Sequence, residues 1–309
     1  MTNCGVLFLG GAKRVSMARH FKKSASEMGL QLNLYSYELS HNEPISVEAS
    51  VIQGLKWSDA NVLEDIHNYV LQYDVKIIIP FVDGAIAIAT AYRDKYKNVF
   101  VPAGSTAGIN AMFDKVVAAD VFKDAGLTIP ETVSMYDGRE LIAKPRQGSA
   151  SQGIVYIKNA EAFNTLGEGY LVQEYIHGRE WTVDCYRRVD NGYIECISPR
   201  TRDRVAGGEV IETTVHPNAT EIIDATRPVL ERLDLRGAVT VQFIEGTDGI
   251  PRLMEVNPRL GGGAVAAIAA GINIPRLILS EAMGKSANQL QIPKSVIVKR
   301  YMEEVVFPL

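Results

Sequence analysis

The residues best suited to chemistry cluster in a few stretches, and the last of these carries the densest set. In RLMEVNPRLGGG, side chains two apart on a strand share a face, so Glu255 and Asn257 point together while Met254 and Val256 are expected to enter a core. Pro258 keeps Asn257 extended and ends the strand, leaving Arg259 and a run of glycines as a loop at its tip. Carboxylate and amide oxygens are hard donors suited to Mg2+ shared with a triphosphate. On the preceding stretch, VTVQFIEGTDGI, alternation separates Val239, Val241 and Phe243 from Thr240, Gln242 and Ile244. A hairpin through residues 246–249 lays Gln242 beside Glu255 and offers a third oxygen. A surface-charged strand explains poorly why an apolar hairpin carries Gln, Glu and Asn on one face.

Upstream, LIAKPRQGSASQGI presents Lys144 from a strand that Pro145 ends, followed by a loop with Gly148, Ser149, Ser151 and Gly153. Small residues let backbone N–H groups close over an oxyanion and Lys144 adds a point charge for phosphate, although a plain hairpin loop has the same composition. In YLVQEYIHGREWTVD, the extended run from Gln173 to Ile176 offers main-chain groups to an adenine rim, and Glu180, past the turn at Gly178, offers a carboxylate to ribose hydroxyls. Taken alone, the segment reads better as an ordinary strand, turn and strand. Arg200, Arg202 and Arg204 suit a solvated strand face or, beside a phosphate site, neutralisation of a transferring phosphoryl group. The loop Gly10-Gly11-Ala12-Lys13 follows a strand and opens a helix, a place for an anion. A dinucleotide fingerprint starting at Gly10 would need glycine where Ala12 and Val15 stand, which argues against a nicotinamide oxidoreductase.

The elements that must position these residues divide by pattern. The first hundred residues alternate short apolar runs (6–9, 32–37, 75–81, 99–101) with helical spacing (15–28, a helix capped by Ser58 and Asp59, 84–96), which predicts a parallel sheet covered by helices. From Asp114 a helix over 115–125 is followed by short β segments, another helix over 217–233, two strands and an Ala-rich helix after Gly263, which predicts an antiparallel α+β unit. A chain of 309 residues suits about two domains at roughly 150 residues each. Its composition, 47% hydrophobic and 22% charged, is globular, and a net charge of −4 argues against bulk neutralisation of nucleic acid. Cys4, Cys185 and Cys196 form no zinc or CxxC pattern and read as free thiols. With neither a signal peptide nor a run of about 18 apolar residues, the expected location is the cytoplasm, without membrane contact.

Taken in order, Asp114-Lys115, LIAKPR with GSASQG, VQEYIHGRE, VQFIEG and MEVNPRLGGG resemble the ATP-grasp superfamily, and most closely its carbamoyl-phosphate-synthase-large-chain-like members. The resemblance implies an ATP-grasp fold of α/β and α+β parts: a parallel N-terminal pre-ATP-grasp domain (1–108), a small ATP lid subdomain (109–175) and a C-terminal antiparallel domain with the metal site (176–309). It also implies ATP and Mg2+ (or Mn2+) as cofactors. Lys115 and Lys144 match the positions that contact ATP phosphates, and Gly148, Ser149, Ser151 and Gly153 the flexible lid. Glu174, Tyr175 and Ile176 match the adenine hinge, and Glu180 the ribose carboxylate. Gln242, Glu255 and Asn257 match the metal ligands, Arg259 the arginine at the transferred phosphate, and Arg202 or Arg204 a group stabilising an acyl phosphate. The implied activity is ADP-forming ligation of a small carboxylate to an amine or other nucleophile. The partners are then small molecules, with a homodimer open. The alternatives are a non-catalytic ATP-binding regulatory or scaffold protein, and a carbamoyl-phosphate-synthase-type bicarbonate or carbamate kinase half; the length suits one ATP-grasp unit.

Overall fold

The computed structural model describes residues 2–148, 152–286 and 292–308. In chain order the elements are β1 (Thr2–Leu9), α1 (Val15–Glu27), β2 (Leu30–Glu38), a 3-10 turn (Pro44–Val47), β3 (Ser50–Gln53), α2 (Val62–Gln72), β4 (Val75–Pro80), α3 (Asp83–Tyr96), α4 (Thr106–Ala111) and α5 (Lys115–Asp124). Then follow β5 (Leu141–Pro145), β6 (Val155–Ile157), α6 (Ala160–Asn164), β7 (Tyr170–Glu174), β8 (Gly178–Arg187), β9 (Ile194–Ala206), β10 (Glu209–Val215) and α7 (Thr220–Arg232). The chain continues through β11 (Gly237–Gly246), β12 (Pro251–Asn257), α8 (Val265–Ala269), α9 (Ile274–Ala282) and β13 (Val296–Lys299).

The first sheet is parallel, in the order β3-β2-β1-β4. The central β1 and its neighbour β4 are buried on both faces over most of their length, which is why VLFL and IIIP run apolar without alternation, whereas β2 alternates. Period two still sorts the side chains. Cys4, Val6 and Phe8 join one core with Met17 and Phe21 of α1, whereas Leu7 and Leu9 join the other with Ile66 of α2 and Ala89 of α3. Phe8 meets Phe21 and Phe81 edge-on, with ring centroids 5.4 and 4.7 Å away. The first of these cores also takes Ile274, Leu277 and Ile278 of α9, so the layer over β1 is completed from the far end of the chain.

Two local expectations fail. Residues 99–101 form no named strand and contribute a single bridge, Phe100 to Ile77; a stretch this short at the sheet edge pairs at one point. Helix α2 begins at Val62 and not at a Ser58–Asp59 cap, because the Asp59 carboxylate instead closes a turn onto the N–H of Asn61 at 2.8 Å.

The second half holds two antiparallel sheets. One is small, ordered β6-β5-β7, and the other has six strands in the order β12-β11-β8-β9-β10-β13. Trp181, Val183, Cys185, Val239, Val241 and Phe243 turn one face of the large sheet into a core closed by α7. The opposite face, with Thr182, Arg200, Thr240 and Gln242, is free to line a cleft beneath the small sheet.

Candidate functional site

The cleft has a volume of about 720 Å³, within the ordinary range for small-molecule sites. Its floor starts from the β11–β12 hairpin, in which Gln242 pairs with Glu255 and Thr240 with Asn257, as the alternation requires. Met254 departs from that pattern. The register slips between Gln242 and Phe243, so that Phe243 pairs with Leu253 and Met254 is the extra residue of a bulge. Leu253 and Val256 therefore fill the core, and Met254, expected there, lines the cleft instead.

One end is an apolar slot. Ile142, Ile154, Ile176, Ile244 and Met254 form its walls, and the chain from β7 to β8 runs along its rim. Glu174 is tied back to Glu131 through both its N–H and its carboxylate, and the Tyr175 N–H donates to the Glu140 carbonyl at 2.9 Å. Ile176, by contrast, has no hydrogen-bond partner for N–H or carbonyl among the described residues. Glu180 is half-exposed at the slot's mouth, its Oε2 3.0 Å from Arg202 Nε but off the line of a good hydrogen bond.

The middle of the cleft is cationic. Lys144 Nζ donates to Gln173 Oε1 at 3.0 Å, and that buried amide is fixed in turn by the Pro130 carbonyl. Burial pushes the Lys144 ammonium down to about 8; Lys115 adds to the effect, while Glu255 and Glu180 oppose it. Lys115, at the start of α5, donates to the Gly148 carbonyl at 2.8 Å. Asp114 caps α5 by accepting from Val116 and Val117 and clamps Arg146 through both carboxylate oxygens, which holds its own pKa below the usual carboxylate range. Gly148 and Gly153 flank the expected lid, whose Ser149 and Ser151 lie outside the described residues.

At the far end, the Gln242 amide N donates to Glu255 Oε2 at 2.7 Å and its oxygen accepts from Arg202 Nη1 at 2.9 Å. Arg259 donates to Asp83 at the start of α3 (2.7 Å) and to Asn257 (3.1 Å), which links the hairpin tip to the first domain. Behind it, Arg200 is 3% exposed and paired with Asp184 at 2.7 Å. Two of the three glycines after Leu260 make room for these guanidinium groups. A Cβ on Gly263 would stand 2.6 Å from Arg200 Nη2, and one on Gly262 2.9 Å from Arg14 Nη1. Because Arg200 is buried and ion-paired it has no room to yield, so Gly263→Ala is expected to cost about 1–3 kcal/mol in a denaturant titration.

The structure thus gathers Lys115, Lys144, Gly148, Glu174, Tyr175, Ile176, Glu180, Arg202, Gln242, Glu255, Asn257 and Arg259 around one cleft. Gly153 stands beside it against Pro145, and the exposed Arg204 lies beyond the lining. Sequence reasoning passed over Arg14, Arg300 and Met254, and named Arg200 without choosing it. The GGG run was the available signal for the arginines, since consecutive glycines after a strand mark close approach by other groups. In the Gly10–Lys13 loop the amides of Gly10, Gly11 and Ala12 are already taken, the first by the Tyr37 carbonyl. The Glu38 carboxylate accepts from Ser36 Oγ at 2.6 Å and from the N–H groups of Gly11 and Ala12, although burial still pushes its pKa up.

A divalent cation fits what is present. Among the described residues no cluster of three His, Cys, Asp or Glu could cage a metal alone. Glu255 and Asn257 together supply a carboxylate and an amide oxygen on one face, the sparse donor set that Mg2+ uses when phosphates complete its shell. The Gln242 oxygen faces Arg202 and not this pair.

The fold is that of the ATP-grasp ligases: a parallel α/β domain, a small antiparallel sheet and a large one. Residues 167–305 match the family described as ATP-grasp in the biosynthetic pathway with Ter operon. The chain is 26% identical over 201 residues to a D-alanine–D-alanine ligase of Parabacteroides distasonis, covering 52% of this chain and 60% of that ligase's own length. Among solved structures, N5-carboxyaminoimidazole synthetase from Staphylococcus aureus, complexed with ADP, superposes with a TM-score of 0.76 at 18% identity, covering 98% of this chain and 83% of that one. Biotin carboxylase from Campylobacter jejuni, in a complex with β-γ-ATP, gives 0.72 at 17% identity, covering 92% of this chain and 72% of that one. No helix among the described residues is long and apolar enough to cross a membrane.

Proposed function

We propose that this chain is an ATP-dependent ligase that activates a small carboxylate as an acyl phosphate, which an amine or other nucleophile then attacks, releasing ADP and phosphate. One observation carries the reading: a single cleft runs from an apolar slot with the unpaired main chain of Ile176, past Lys144 and Lys115, to Glu255, Asn257 and Arg259. That order is the order of base, phosphates and transferred group along a nucleoside triphosphate. The ligase named among the relatives supports the same class.

In this reading Ile176 pairs with the adenine edge, Glu180 takes the ribose, and Lys144 and Lys115 hold the phosphates. Glu255 and Asn257 would hold Mg2+ (or Mn2+), which would supply neutralisation of phosphate charge. Arg259, fixed by Asp83, orients the γ-phosphoryl group for in-line attack by the substrate carboxylate, and Arg202 neutralises charge beside it. The carbamoyl-phosphate-synthase-like subtype, the division at 108 and 175, and a cytoplasmic location belong to the same proposal.

ATP with Mg2+ is expected to raise the melting temperature, and a screen of carboxylates with amines to find pairs that release ADP and phosphate. Absence of any thermal shift with ATP and Mg2+ overturns the reading.

A further inference from the structure

The charges at the far end of the cleft do not balance. Four guanidinium groups meet there from separate elements: Arg14 from the loop before α1, Arg200 from β9, Arg259 from the tip of β12 and Arg300 from the chain after β13. Three are answered by carboxylates, Arg200 by Asp184 at 2.7 Å, Arg259 by Asp83 at 2.7 Å and Arg300 by Glu209 at 3.3 Å. Among the described residues Arg14 has neither a salt-bridge partner nor an acceptor for its guanidinium. Burial and the neighbouring charges of Arg259 and Arg300 push its pKa down, with Glu209 opposing them. An unpaired, partly desolvated cation beside two others is costly unless an anion arrives to answer it.

The anion's place is defined from both sides. Arg14 Nη1 and Arg300 Nη2 stand 2.9 and 3.5 Å from the point a Cβ of Gly262 would occupy, so the two groups flank one glycine. Arg300 also donates to the Gly262 carbonyl. In the same cleft two deeply buried polar atoms lack partners, Arg200 Nη1 and Thr182 Oγ1, on residues 3% and 2% exposed. In the loop before Arg14 the amides of Gly11 and Ala12 are already occupied by Glu38, so the contact offered to a ligand is the Arg14 side chain.

We propose that the acid activated here carries a second anionic group, carboxylate or phosphate, bound by Arg14 and Arg300 over Gly262, while its reacting carboxylate lies against Arg259. This rests on the ligase reading for the reacting carboxylate; the second subsite rests on the unanswered charge of Arg14. Arg14 is then the residue that selects dianionic over monoanionic acids, through paired charge-assisted hydrogen bonds.

The test compares succinate and glutarate with butyrate and valerate, and 3-phosphoglycerate with glycerate, by calorimetric binding to the protein with and without an ATP analogue and by ADP release. Acids with a second anionic group are expected to bind at least about 30-fold more tightly than their monoanionic matches. Arg14→Gln is expected to bring that ratio near one, and Arg14→Lys to restore part of it. If 3-phosphoglycerate alone shows the preference, the group is a phosphate; if only the dicarboxylates show it, a carboxylate. Without substrate, Arg14→Gln is expected to melt at the same or a higher temperature, since it relieves repulsion; a lower melting temperature marks a structural arginine and overturns the proposal. No dianion preference in the wild type also overturns it. Dianion binding without any thermal shift from ATP and Mg2+ overturns the ligase reading instead and leaves the subsite standing.

Discussion

Glu255→Gln is expected to lower turnover by about 10³-fold, roughly 4 kcal/mol of transition-state stabilisation, with the fold intact. Glu255 is the only carboxylate on the cleft face of the β11–β12 hairpin, and its neighbours there are amides, so the exchange removes the single negative charge that would fix a cation on the triphosphate. The packing cost is small. The residue keeps its size, and a glutamine oxygen still accepts the 2.7 Å hydrogen bond from Gln242. Circular dichroism and melting temperature should therefore match the wild type while acid-dependent ADP release collapses. Unchanged release would refute the metal assignment, and a melting temperature several degrees lower would recast Glu255 as a structural group.

How much of this was legible beforehand depends on how local each determinant is. The facing of Gln242 and Glu255 follows from period two and a short turn, so it could be read directly from VQFIEGTDGIPRLMEVN. Met254 could not, because the bulge that expels it into the slot is set by the pairing register of two strands and costs the sequence no special residue. The arginines fail for another reason. Arg200, Arg202 and Arg204 alternate along the sequence with identical chemistry, but the register slips at Asp203 and turns Arg204 to the other face and to solvent, while Asp184 holds Arg200 and Gln242 meets Arg202. Arg14 and Arg300 come from opposite ends of the chain and meet only through tertiary folding. Glu38 likewise fills a loop that glycine spacing alone had left open to an anion.

Affinity for ATP is expected to fall as pH rises through about 8, and Lys144 is the reason. In the free protein its ammonium is pushed down to about 8 by burial, with Lys115 adding repulsion. A triphosphate at Nζ favours the charged form, so its pKa is higher in the complex and binding takes up a proton once the free lysine is neutral. Below about 8 both states are protonated and affinity is flat; above it, affinity falls up to tenfold per pH unit until the pKa of the complex is reached. Calorimetry in buffers of different ionisation enthalpy reads this proton uptake directly. Lys144→Met is expected to weaken ATP binding by tenfold or more at pH 7 and to abolish the decline above 8. The same substitution makes the free protein more stable at neutral pH. A lysine with a depressed folded-state pKa binds fewer protons folded than unfolded between about 8 and its ordinary value near 10.4, so its penalty is full below that window and relieved as pH rises through it. Stability and ATP affinity therefore move in opposite directions on removing one ammonium. Glu255 supports the charged form of Lys144, so Glu255→Gln should shift the midpoint of the decline to lower pH. A midpoint that stays put in that variant would mean that the two side chains do not share the site.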